Sequence, residues 1–185
     1  MGWTRIILIL LFFISLGPTS SLMAQETERR VIVEDIPSLK KIRRVAAEET
    51  HSGFPVPRYV SLKYGRINGR QGPSLRHPVL WQYQRKGLPL IVVAEMDIWR
   101  KVRDLHGDES WVRKQALTGE THVVALKDTN IYARAKDSSR VKAVASQEAV
   151  LQLIECKDDD WCLIRSSAGH KGWAKRDILW GVEPL

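Results

Sequence analysis

The sequence predicts an all-β protein made of two small tandem β-barrels or sandwiches, and three observations carry that reading. A cassette bearing Trp99 and Trp111 returns with Trp161 and Trp173. The same offset of 62 sets Val102 over Ile164, Arg103 over Arg165, Gly107 over Gly169, Val112 over Ala174 and Leu117 over Leu179, which marks an internal repeat. Residues 99–103 and 161–165, each opening on Trp and carrying Val102 or Ile164, read as short half-buried strands. Short strands follow at close spacing, with Gly-containing polar breaks and no long helical pattern between them.

From the N-terminus, residues 1–24 read as a secretory signal. Arg5 precedes an apolar run of 11 residues, 6–16, which Gly17-Pro18 and a small polar exit at Ala24 close. A membrane-spanning helix needs roughly 20 apolar residues, so cleavage after Ala24 is expected. Leu22 fits the cut poorly, and the alternative is an uncleaved anchor, the only membrane contact expected. Residues 25–55 are charged and weakly periodic, with Lys40, Lys41, Arg43 and Arg44 among them. They read as a solvated linker or as a basic tether. Ordered structure is expected from Tyr59, after Pro55 and Pro57.

The first unit, 56–119, is expected to hold strands over 59–63, 78–84, 88–95, 99–103 and 111–112, with 65–74 as a turn-rich connection. Pro89 has no amide hydrogen to donate, so it belongs at the start or edge of its strand. The second unit, 120–185, repeats the order over 122–125, 130–133, 141–145, 150–156, 161–165 and 173–174. Arg134 aligns with Arg70 at an offset of 64 and Val141 with Val79 at 62, which places a two-residue difference in the loop between them.

These residues carry a family likeness. Ile67-Asn68-Gly69-Arg70-Gln71-Gly72-Pro73, then Pro78-Val79, Gly87, Trp99, Val102 and Gly107 through Trp111-Val112, resemble the bacterial SH3-like domain. The second unit is similar through Ile131-Tyr132-Ala133-Arg134, Val141, Trp161, Ile164 and 169–173. Its ending, 178–182, resembles that of tandem SH3-like envelope proteins of alphaproteobacteria. Departures are Gly69 where an apolar residue is usual, Lys136-Asp137 for Gly-Pro, and Ser110 for the hairpin Gly. The resemblance implies two SH3-like barrels in a non-enzymatic module of the cell envelope that binds peptidoglycan or another wall polymer. Wall peptidases with such domains carry a separate Cys–His catalytic domain, for which 185 residues leave no room.

Cys156 and Cys162 are the only cysteines. In an exported chain they suggest a disulfide that staples one hairpin, worth about 2 kcal/mol for so short a loop. A redox pair or zinc site is the alternative, although two cysteines do not fill a zinc shell. Ala94 and Arg100 stand at the matching places of the first unit. The net charge of +8 would suit nucleic acid in a cytosolic protein; export to the periplasm removes that partner. Anionic glycans, phospholipid head groups or acidic proteins remain. His51, His77, His106, His122 and His170 show no metal-ligand spacing, and Asp158-Asp159-Asp160 reads as a solvated turn. No enzyme, metal or cofactor is expected.

Trp99, Trp111, Trp161 and Trp173 recur, so their first role is expected to be packing. Trp81, Tyr83 and Tyr132 lie where the resemblance places a groove, and with Trp99 and Trp161 they are the candidate ligand-binding residues. Trp81 and Tyr83 alternate on one strand, and Ala143 and Ala145 stand at their places in the repeat, which predicts an exposed shelf for sugar rings or an extended peptide. Two function classes stand: a wall-polymer binding module, and a protein–protein interaction adaptor in the periplasm.

Overall fold

A computed structural model describes residues 42–157, 160–182 and 185. The proposed signal over 1–24, the linker up to residue 41, and Asp158 and Asp159 lie outside the described residues.

The first unit comprises β1 (Arg58–Leu62), β2 (Ile67–Arg70), β3 (Val79–Tyr83), β4 (Pro89–Met96), β5 (Trp99–Arg103), β6 (Glu109–Arg113) and β7 (Leu117–Thr118). The second repeats them as β8 (His122–Ala125), β9 (Thr129–Tyr132), β10 (Val141–Ala145), β11 (Val150–Lys157), β12 (Trp161–Arg165), β13 (Lys171–Lys175) and β14 (Leu179–Trp180). The antiparallel sheets have matching orders, β3-β2-β6-β5-β4-β1-β7 and β10-β9-β13-β12-β11-β8-β14. Each bends around its own core. Leu62, Ile67, Leu90, Val92, Val102 and Val112 fill the first, and Val123, Ile131, Leu151, Ile164, Ala174 and Leu179 the second. Pro89 opens β4, where its missing N–H costs least.

Two expectations change, and each sheet gains a short closing strand. Residues 67–70 form a strand rather than part of a turn-rich connection, with Ile67 and Gly69 inward and Asn68 outward. A glycine at an inward position hides the apolar period. The polar stretches ahead of Leu117 and Leu179 are 3-10 turns, Lys114–Ala116 and Arg176–Ile178, and each Leu then opens a two-residue strand that closes the sheet against β1 or β8. Order also begins before Tyr59. Val45 bridges Val56, a 3-10 turn spans Ala47–Glu49, and Val56 is buried in the first core, so the described part of the expected linker, 42–55, packs on the barrel.

That arm is held by ions. Ser52 donates from its N–H to Glu95 Oε2 at 2.9 Å and from its hydroxyl to Oε1 at 2.8 Å. Arg58 Nη2 donates to Oε1 at 2.5 Å, and Arg100 Nε lies 3.1 Å from the same oxygen. Burial raises the Glu95 carboxyl, but the bonds from Ser52 and Arg58 and the charges of Arg58 and Arg100 outweigh it and hold the group below its usual range.

A third apolar cluster joins the barrels. Ile91, Val124 and Trp180 are buried there with Tyr59 against them, and the Tyr59 and Trp180 rings meet edge to face at 5.4 Å. This explains why β4 opens with four buried residues in a row, Pro89 to Val92. One face packs its own core and the other packs the second barrel. Around the cluster, Arg85 Nη1 donates to Glu148 O at 2.9 Å, and His122 Nδ1 lies 3.2 Å from Ser61 Oγ.

Candidate functional site

A groove of about 270 Å³ opens on the first barrel, lined by Tyr64, Arg66, Asn68, Arg70, Trp99 and Arg113 among others. Its floor is Trp99, the first residue of β5, which is 6% exposed. Arg113, at the end of β6, lies over that ring with Cζ 6.0 Å from its centroid. Arg66 is exposed just before β2, and Arg70 ends β2 paired with Trp111. Arg70 Nη1 donates to the carbonyls of His77 at 2.8 Å and Leu75 at 3.3 Å, so this guanidinium shapes the 71–78 loop. Tyr64 stands 53% exposed at the rim, with Lys63 Nζ 5.6 Å from its ring centroid.

The aromatic shelf is corrected by the structure. Trp81 and Tyr83 do share a face, with ring centroids 6.0 Å apart, but that face points inward. Tyr83 is 7% exposed, belongs to the first core, and shares a hydrogen bond with Ser110 Oγ at 3.0 Å. Burial raises its phenol, against the opposing effect of Ser110 and a close Trp81 N–H. Trp81 is half-buried and packs on the same core. The space for the Tyr83 ring comes from Gly69, where an added Cβ would lie 2.5 Å from Ser110 Oγ and 3.1 Å from Tyr83 Cε2.

Of the other candidates, Trp99 floors the groove and is the one that the structure brings there. Trp161 takes the corresponding place in the second barrel, also buried, with Tyr132 edge-on at 5.5 Å and Lys175 Nζ 4.3 Å over its ring. Tyr132 pairs with Trp173 as Arg70 pairs with Trp111, so the structural counterpart of Arg70 is Tyr132 and not Arg134. Arg66, Arg113 and Tyr64 were not among the sequence candidates. The available signal was Arg113 two places after Trp111, on the outward side of the strand. Cys156 and Cys162 face one another across β11 and β12 and are bonded. Among the described residues, no group of three His, Cys, Asp or Glu side chains is placed to hold a metal.

A family model for the bacterial SH3 domain matches residues 63–119 and again 126–181. The chain belongs to the bacterial SH3 domain family. Its two bacterial SH3 units correspond to the two sheets, and the all-β tandem architecture expected from the repeat is the one observed. No curated protein matches the chain. Among solved structures, NlpC2 and NlpC1 from Trichomonas vaginalis each share 13% identity over 67% of this chain, with a TM-score of 0.31. The match covers 48% and 45% of those chains, so this chain spans less than half their length.

Proposed function

We propose that this bacterial SH3 protein is a non-enzymatic, exported binding module of the cell envelope, of the tandem type found in alphaproteobacteria, which recognises peptidoglycan or another wall polymer. Bacterial SH3 domains are commonly cell-wall binding modules. The observation that carries the reading to this chain is the open groove over Trp99, with arginines at its edges. The Cys156–Cys162 bond supports an oxidising compartment, for which the periplasm is the natural choice. A second reading, an interaction adaptor, is favoured by a different observation. The sheet-end strands β3 and β10 expose Val79, Leu80, Val141 and Val144 in both units, and such edges are templates for protein contacts. Co-sedimentation with purified sacculi separates the two. The wall reading expects the protein in the pellet at low salt; recovery entirely in the supernatant would favour the adaptor.

A further inference from the structure

We infer that the Trp99 groove of the first barrel is an anion site for a carboxylate-bearing peptide segment of the wall, and that the matching surface of the second barrel is closed. This rests on the wall-binding reading and names the chemistry that the groove takes.

The charge at the groove is uncompensated. Arg66, Arg70 and Arg113 have no ion-pair partner among the described residues, and no acidic side chain lines the groove. Elsewhere on the same barrel, Arg58 and Arg100 pair with Glu95, while Lys101 and Arg103 pair with Glu109. Arg66 and Arg113, left without acids beside one concavity, are available to a ligand, while Arg70 adds positive charge with Nη1 already bonded to the His77 and Leu75 carbonyls. Guanidinium forks match carboxylates in geometry as well as charge, and Asn68 and Tyr64 add polar and aromatic contacts for an extended chain.

The second barrel has the same ground plan with the charge cancelled. Asp128 stands 62 positions after Arg66, and its carboxylate accepts from the Gln147 N–H at 2.7 Å. Tyr132 replaces Arg70 and lies edge-on to Trp161. Lys175, the counterpart of Arg113, is bonded to Asp137 Oδ2 at 3.0 Å. Every cation of the first groove is thus lost or paired in its repeat, while the Trp floor is kept. Packing explains the kept Trp; it does not explain three arginines without acids at positions that hold Asp128, Tyr132 and a paired Lys175 in the other copy.

The test uses the full chain, its variant Arg66→Gln/Arg113→Gln, and Lys175→Gln as the second-barrel control. Both altered arginines are exposed and outside every ion pair described, so the variant is expected to melt with the wild type. The probes are tri-glutamate, tri-glutamine and intact sacculi. The wild type should bind tri-glutamate and sacculi, with Trp99 and the flanking amides shifting in NMR spectra, and should ignore tri-glutamine. The double variant should lose at least about tenfold in affinity for both anionic probes, as expected for losing charge-assisted bonds, and Lys175→Gln should lose none. Equal binding of sacculi by the double variant and the wild type overturns the groove assignment while leaving wall binding intact. Binding of tri-glutamate without binding of sacculi overturns the wall as the source and makes an acidic protein the occupant. Binding of neither overturns both readings.

Discussion

Glu95 and Arg100 face one another across β4 and β5 at the register position that Cys156 and Cys162 occupy across β11 and β12. One hairpin is held by a buried ion pair, its Nε–Oε1 distance 3.1 Å, and its repeat by a disulfide. Glu95 also ties down Ser52 and Arg58, so the ionic version anchors the N-terminal arm as well as the hairpin.

Glu95→Gln should therefore cost the first barrel heavily. Removing one partner of a buried pair leaves the other charge uncompensated, at about 3–5 kcal/mol. The folded-state pKa of Glu95 is depressed, so its stabilising contribution is present above the unfolded carboxyl value and is lost as pH falls through the folded one. Denaturant unfolding of the wild type should lose stability in acid below about pH 4, and Glu95→Gln should flatten that loss. An unchanged acid slope in the variant would contradict the assignment.

Breaking the Cys156–Cys162 bond should act on the other hairpin and independently of pH. Cys156→Ser/Cys162→Ser is expected to lose about 2 kcal/mol, read by urea unfolding. Two free thiols in non-reduced, exported protein by mass spectrometry would remove the staple from the account.

Tyr83→Ala is expected to destabilise the first barrel by about 3–5 kcal/mol as a large-to-small core change. The repeat offers a rescue. Gly69, Tyr83 and Ser110 correspond to Ile131, Ala145 and Gly172, and a Cβ at Gly172 would lie 2.6 Å from Ile131 Cγ2. Gly69→Ile/Tyr83→Ala/Ser110→Gly should recover much of the loss, whereas Gly69→Ile alone should unfold the unit early. Additive thermal shifts across the three changes would argue against a shared cavity.

Trp180→Ala should remove the centre of the cluster between the barrels, again at about 3–5 kcal/mol. Calorimetry should then show the two units melting apart, while an unaltered single transition would place their coupling elsewhere.

The repeat made both barrels legible, because Trp, Val and Gly recur where cores and turns recur. The error at Tyr83 arose because volume is kept over three strands and not at each position. An aromatic on one strand is exchanged for Ile on the next and Gly on a third, so comparing Tyr83 with Ala145 alone suggested an exposed role. Matching Ala94 to Cys156 failed for a simpler reason. The β11–β12 connection is one residue longer than its counterpart, so Glu95 leads Cys156 by 61 while Arg100 leads Cys162 by 62. The arm at Val45 and the groove arginines were hidden because nothing periodic marks a single bridge or a missing counter-charge. Only the placement of Glu95, Glu109 and Asp137 reveals which cations remain unpaired.

A salt series of the wild-type protein with sacculi is the decisive measurement. Screening lengths fall from about 10 Å at 0.1 M to about 3 Å at 1 M salt, and the groove offers guanidinium groups at its rim over a Trp that is 6% exposed. The pelleted fraction should therefore be high at 0.1 M and drop steeply by 1 M. A fraction that stays constant across the series would contradict binding through the arginine groove.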